Sequence, residues 1–265
     1  MELIVHPSEP PVTNGHRPSL APSPALAFHH VSKVFADGTQ ALDDVSLSVA
    51  PGEMVAIVGP SGCGKSTLLR LASRLSVASG GTIEVAEGNL GYVFQDATLL
   101  PWRTVQRNVE LLAELSGVDK AERARLATQA IELAGLTGFE QHRPRALSGG
   151  MRMRVSLARA LVMRPRVFLF DEPFGALDEI TRERLNAELL ELFVRERFAG
   201  VFVTHSVGEA TFLATRVVVM SARPGRIVAE VPVPLGYPRA PELRFSPQFS
   251  DLAAEISARL REAMA

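Results

Sequence analysis

The chain has 265 residues, is 46% hydrophobic and carries a formal charge of −1; it can bury one large domain with a subdomain, and it offers no nucleic-acid surface built on bulk positive charge. Its single cysteine, Cys63, excludes internal disulfides and cysteine-based zinc sites and points to a reducing compartment. No apolar stretch approaches the roughly 18 residues needed to span a bilayer, and the first residues lack the basic-then-apolar pattern of a secretory signal, so a cytosolic location is expected.

Residues 1–25 are rich in proline with few large apolar side chains, which predicts a disordered leader. Strand-like stretches at 26–35 and 41–49 flank Asp37-Gly38, a hairpin signal. Met54–Val58 is a short apolar run expected of a buried strand. It leads into Gly59-Pro60-Ser61-Gly62-Cys63-Gly64-Lys65-Ser66-Thr67, and then into a strongly helix-forming stretch. Gly59, Gly64, Lys65 and Ser66 fill the fixed positions of the phosphate-binding loop motif, in the strand–loop–helix context it requires. Backbone N–H groups of Gly62 to Ser66 can wrap a polyphosphate at the positive end of the helix dipole. Lys65 would neutralise the β- and γ-phosphates, and the Ser66 hydroxyl would ligate Mg²⁺. Cys63 reads as a small residue that fits the loop.

Short strands are expected at 82–86 and 91–94. The helical insert starts near residue 97. Within it, Leu126, Ala130 and Leu133, with Ala127, Ile131 and Ala134, share one helix face. A helix at 151–163 precedes the continuous apolar strand Val167–Phe170. Leu185, Leu189 and Leu192 mark a further helix, Val201–Val203 and Val217–Val219 two more buried strands, and 248–263 a last helix. Strands alternating with helices imply a parallel α/β sheet.

Hydrolysis of a phosphoanhydride needs a metal, an aligned water and groups that stabilise the γ-phosphate. The strand at 167–170 ends in Asp171-Glu172, so both carboxylates emerge at the carboxyl end of the sheet beside the phosphate loop. Asp171 is placed to hold Mg²⁺ and Glu172 to act as general base. Gln95 closes another strand and can reach both Mg²⁺ and the lytic water. His205 ends Val201–Thr204 in the same manner, which favours a γ-phosphate contact. His29, His30 and His142 read as surface residues. Ser148-Gly149-Gly150 before a helix offers a second anion site, although by itself the run also fits an ordinary glycine turn with Ser148 as helix cap.

These motifs (GPSGCGKST at 59–67, Gln95, LSGGM at 147–151, VFLFDEP at 167–173, ALD at 176–178 and His205) occur in the order and approximate spacing of an ABC-transporter ATPase. The resemblance implies an α/β P-loop NTPase core with an antiparallel β subdomain and a small helical subdomain. It implies an ATPase domain over 26–230, the helical subdomain inserted at about 97–163, and a short C-terminal extension over 231–265. It also implies ATP and Mg²⁺ as cofactors, and a homodimer, or a pair with a similar subunit, packed head to tail. In such a pair Ser148, Gly149 and Gly150 bind the γ-phosphate held by the other protomer, Phe35 stacks on adenine, and Asp178 crosses the interface. Phe35 also fits a core aromatic, and Asp178 a helix cap. Met151 stands where the family usually has glutamine; the backbone amides there still carry anion binding.

Leu99-Leu100-Pro101-Trp102-Arg103-Thr104-Val105 after Gln95, with LSGGMRMRVSLARAL, is similar to the nitrate, sulfonate and taurine importer subgroup. That resemblance implies a permease docking near Gln95–Val105, with Trp102 a candidate contact or a packing residue, and an extracytoplasmic solute-binding protein acting indirectly. It implies a peripheral location on the cytoplasmic face of the membrane, and no nucleic-acid partner. An exporter subunit, an importer of pyrimidine vitamin precursors and a soluble non-transport ABC ATPase are the alternative readings.

Overall fold

The computed structural model describes residues 23–264; of the expected leader, residues 1–22 lie outside the described residues. The chain runs through β1 (Leu26–Val34), β2 (Gln40–Val49), β3 (Met54–Val58), α1 (Lys65–Ala72), β4 (Gly80–Val85) and β5 (Leu90–Val93). Then come α2 (Val105–Val109), α3 (Leu111–Leu115), α4 (Lys120–Leu133) and α5 (Gly149–Leu161). β6 (Val167–Asp171), α6 (Glu179–Glu196), β7 (Ala199–Val203), α7 (Val207–Leu213), β8 (Arg216–Met220), β9 (Ile227–Pro232) and α8 (Pro247–Glu262) follow.

One sheet is antiparallel with order β2-β1-β4, and the other has order β5-β6-β7-β3-β8-β9. β5, β6, β7, β3 and β8 are mutually parallel, and β9 lies antiparallel on the edge beyond β8. The expected parallel sheet is therefore correct for the centre and incomplete at that edge. β9 escapes the pattern because, within it, only Val231 is buried, while Glu230 and Pro232 are exposed.

The central strands read as unbroken apolar runs because both faces are covered. Met54, Ala56 and Val58 of β3, with Phe168 and Phe170 of β6, join the core under the helical insert. Val55, Ile57, Val167 and Leu169 face the other way, onto Leu68 and Leu69 of α1 and onto the antiparallel sheet. Burying a side chain such as Phe170 contributes about 1.5–3 kcal/mol, and it fixes the register that brings the strand ends level. Arg216, at the start of β8, donates to Glu53 Oε1 at 3.0 Å and to the Ser48 carbonyl at 2.7 Å, and pairs with Glu230, tying β2, β8 and β9 together.

α4 buries Ala127, Ala130 and Ile131, followed by Ala134, against α5, but Leu133 is 36% exposed and Leu126 only partly covered. The buried stripe is thus centred on the small residues, which let the two helices approach, and not on the leucines expected to share it. Among the described residues no helix is long and apolar enough to cross a membrane.

The loop between β5 and α2 is organised by Asn108, which is fully buried. Its Oδ1 accepts from the Leu100 N–H at 2.8 Å, and its Nδ2 donates to the carbonyls of Leu100, Arg103 and Thr104 at 3.0–3.2 Å. Trp102, the chain's one tryptophan, stands on that loop 68% exposed. Asn108→Ala leaves several backbone groups unpaired and should cost about 2–4 kcal/mol, read as a lowered melting temperature together with a fall in Trp102 fluorescence anisotropy.

Candidate functional site

Because β3, β5, β6 and β7 are parallel, the loops leaving their carboxyl ends all open on the same edge of the sheet. The phosphate loop leaves β3. Gly64 stands at φ +108°, and a Cβ there would lie 2.7 Å from Leu42 Cδ2 and 2.8 Å from the Ala41 carbonyl, so only glycine is accommodated. As the N-cap of α1, Gly64 brings no side chain to the first-turn N–H groups. Ser148, Asp178 and Ser206 do cap α5, α6 and α7 through side-chain oxygens. The amides of α1 are thus left for an anion. Lys65 is 5% exposed, and its ammonium donates to the carbonyls of Gly59 at 2.8 Å and Pro60 at 3.0 Å, which hold it across the loop. Arg223, after β8, donates twice to the Gly62 carbonyl at 3.0 and 3.1 Å and braces the outer side of the turn.

Ser66 Oγ donates to Asp171 Oδ1 at 2.7 Å, and the Tyr92 hydroxyl donates to Asp171 Oδ2 at 3.1 Å. Both carboxylate oxygens are thereby oriented. Burial, with the Asp171 charge beside it, pushes the Tyr92 phenol upward, so it remains a donor at ordinary pH. The oxygen set of Ser66 and Asp171, hard donors from two different elements, fits Mg²⁺.

Glu172 follows at φ +46°, an uncommon region for a residue with a side chain. Its N–H donates to the Val203 carbonyl of β7 at 3.0 Å, which turns the side chain back over the sheet edge. There Glu172 Oε2 lies 2.9 Å from His205 Nδ1, which donates to it in the tautomer protonated at that nitrogen. The two groups expected to act on the same reacting centre are therefore in contact. His205 itself lies two residues past β7 and Gln95 two residues past β5, so both sit in the loops that leave the carboxyl ends of those strands. His29, His30 and His142 are exposed.

Gln95 is exposed, and the loop just beyond it is gripped from α5. Arg159, 9% exposed, donates to the carbonyls of Ala97 at 2.9 Å and Thr98 at 3.0 Å and to Thr98 Oγ1 at 3.0 Å. The sequence reading passed over Arg159 and Tyr92. Tyr92 sits on a strand singled out only for its apolar run, and Arg159 lies on a helix singled out for its first turn. An arginine set between Ala158 and Ala160, among the buried positions of α5, is the signal that could have marked Arg159.

Ser148 Oγ accepts from the Met151 N–H at 3.2 Å. A Cβ on Gly150 would lie 2.9 Å from Thr181 Cγ2, so the glycine also lets α5 start against α6. Asp178 caps α6 by accepting from the Thr181 N–H at 2.9 Å, and that hydrogen bond holds its carboxyl below the usual carboxylate range. Among the described residues no hydrogen bond joins Ser148–Gly150 to the phosphate loop. Phe35 is 42% exposed, with the Lys33 ammonium 5.3 Å from its ring centre. The structure thus brings Ser66, Asp171, Glu172 and His205 into two contacting pairs and leaves Phe35, Gln95, Ser148 and Asp178 on the surface around them.

A cassette of this design, a phosphate loop and a paired-carboxylate strand end with a helical insert, is the nucleotide-hydrolysing unit of ABC transporters. Residues 42–175 match the ABC transporter family, and the chain belongs to it as an ATP-binding, ATP-hydrolysing subunit. An ATP-binding protein of Brucella abortus is 44% identical over 240 residues, spanning 88% of this chain and 92% of its own. The aliphatic sulfonates import ATP-binding protein SsuB 2 of Pseudomonas syringae pv. tomato is 43% identical over 231 residues, 87% of this chain and 96% of its own. Among solved structures, the dimeric structure of MJ0796, a bacterial ABC transporter cassette, matches with a TM-score of 0.69 at 31% identity, over 80% of this chain and all of that one. The same cassette is also known as a dimer in a post-hydrolysis state bound to ADP and Pi.

Cys63, inside the phosphate loop, is 1% exposed, and burial pushes its thiol up despite the nearby Lys65 charge. Alkylation by iodoacetamide at pH 8 should therefore be slow in the folded protein and rapid once it is unfolded in urea; equal rates would contradict this placement.

Proposed function

We propose that this chain is the energising subunit of an ABC importer for a small anionic or polar solute of the sulfonate, taurine or nitrate type. The observation that carries the hydrolytic part is the contact between Glu172 and His205, at 2.9 Å, beside the Ser66–Asp171 pair. The similarity to an aliphatic sulfonates import protein supports the solute class and the direction.

The first-turn amides of α1 and Lys65 bind the β- and γ-phosphates, and Phe35 receives the adenine. Ser66 and Asp171, with Gln95, would hold Mg²⁺, which would neutralise charge on the β- and γ-phosphates. Glu172 accepts a proton from water as its oxygen attacks the γ-phosphorus and the bond to the ADP oxygen breaks, yielding ADP and Pi. His205 orients Glu172 and contacts the γ-phosphate. The N–H groups of Gly149 and Gly150, which the Ser148 cap on Met151 leaves free, complete with Ser148 the site of a second copy, with Asp178 crossing between the two. Hydrogen bonds to charged groups contribute about 1.5–3 kcal/mol each, so a few across the interface make closure depend on the γ-phosphate.

The subunit works docked on a membrane permease at the cytoplasmic face, through the exposed loop that carries Trp102. Because Arg159 on α5 holds the carbonyls of Ala97 and Thr98, displacement of the helical insert on ATP binding pulls that loop with it, and the docked permease moves.

Glu172→Gln should lower ATP turnover by roughly 10²–10⁴-fold while leaving ATP affinity within about twofold. Cells carrying only that variant should stop accumulating radiolabelled alkanesulfonate. Near-normal turnover would remove Glu172 as base; lost turnover with normal sulfonate uptake would remove the solute assignment and keep the chemistry.

A further inference from the structure

α7 starts two residues after His205, with Ser206 between as its N-cap, and has only seven residues, too few to hold its shape alone. Its N-terminal end is fixed by a buried polar knot. Ser206 Oγ accepts from the Glu209 N–H at 3.3 Å, and the Glu209 carboxylate, 5% exposed, accepts from Thr204 Oγ1 and from Asn186 Nδ2 at 3.2 Å. Thr204 and Ser206 flank His205 on both sides, so any tilt of α7 is felt at the histidine.

The other end of α7 is held by the C-terminal extension. Arg239, 5% exposed, donates to the carbonyls of Thr211 at 3.0 Å, Phe212 at 2.8 Å and Ala214 at 3.0 Å. Its remaining donors reach the Leu235 carbonyl at 2.7 and 3.2 Å, so all five N–H groups are used on backbone oxygens. The Tyr237 hydroxyl takes the one carbonyl left between them, Leu213, at 2.6 Å. The Arg244 guanidinium lies 3.8 Å from the centre of the Phe212 ring. Among the described residues Arg239 has no carboxylate partner, and burying a cation without one is costly. The carbonyls at the negative end of α7 and the Tyr237 ring, whose centre lies 4.3 Å from the guanidinium, offset that cost and couple the arginine to the helix end.

We propose that the segment Leu235–Arg244 is a positioning element for the γ-phosphate site, in which Arg239 and Tyr237 set the axis of α7 and thereby the place of His205. The inference rests on the reading of His205 given under Proposed function. It assigns to the extension a part in turnover, carried along a helix of about 10 Å.

The test is a double-mutant cycle on the full chain, with steady-state ATPase, ATP affinity and melting temperature measured for each variant. Arg239→Gln should lower kcat roughly tenfold with KM for ATP unchanged, Tyr237→Phe should lower it less, and Arg239→Lys should recover part of the loss. On a His205→Ala background Arg239→Gln should add no further loss in kcat while lowering the melting temperature as before. Equal fold-losses in both backgrounds, or a lowered melting temperature with kcat intact, would overturn the inference and leave the segment a scaffold. A His205→Ala enzyme with normal kcat would overturn the reading of His205 itself, a result the cycle separates from the others. Tyr237→Phe deletes one hydroxyl only and carries the test if Arg239→Gln does not fold.

Discussion

The hydrogen bond from Ser66 Oγ to Asp171 Oδ1, 2.7 Å long and linking residues 105 positions apart, is where the two halves of the chemistry meet. It exists only because β6 and β3 both pair in parallel with β7, in registers that align Asp171 with Val203 and Val203 with Ile57. A slip of one residue along any of these strands would turn alternate side chains into the wrong core. The two apolar layers that enforce the register, phenylalanines on one face and β-branched residues on the other, therefore act on the site as directly as the polar groups do. The loops leaving β5 and β7 are set level by the same pairing, which is why Gln95 and His205 reach that edge.

At that edge the backbone departs from its preferred geometry. Glu172 is held at φ +46° by its N–H bond to Val203, a conformation that costs roughly 1–3 kcal/mol. The result is a carboxylate turned onto His205, next in the chain to the Ser66–Asp171 pair. Buried aromatic packing surrounds it: the Phe202 ring lies 5.8 Å from that of Phe170 and 6.0 Å from that of Phe174, centre to centre. Further out, the device changes from apolar packing to arginines seated on backbone carbonyls. Arg159 grips the loop after Gln95, Arg223 braces the phosphate loop, and Arg239 closes α7. Each fixes a loop or helix end whose position matters, where an apolar contact would specify distance but not orientation.

Much of this was legible because the site is local in sequence where it is chemical. The phosphate loop, Asp171-Glu172 and the serine–glycine turn each announce themselves by residue type next to an apolar run, and the parallel sheet follows from the alternation of those runs with helices. What stayed hidden depends on contacts between distant segments. Tyr92 resembles any strand aromatic until Asp171 is placed beside it. Arg239 lies in a proline-scattered tail that no periodicity distinguishes, and its role appears only when α7 is folded under it. Leu133 was assigned to a buried face by spacing alone, whereas the alanine stripe of α4 carries the packing. β9 was missed because an edge strand with exposed alternate residues and a terminal proline has too weak an apolar signal. Asp178, expected to serve a partner copy, is seen capping α6; the cap leaves one carboxylate oxygen without an assigned task within the chain.

Within one chain the phosphate loop and the serine–glycine turn do not share a hydrogen bond, and the proposed function, in which both bind the same triphosphate, requires that a second copy bring them together around ATP. The direct measurement is the mass in solution of the Glu172→Gln protein with Mg-ATP, by sedimentation or light scattering. The account predicts a dimer that retains ATP and that returns to monomers with ADP or when Ser148 is replaced by a bulky residue. A protein that binds ATP with full affinity but remains monomeric under those conditions would contradict it.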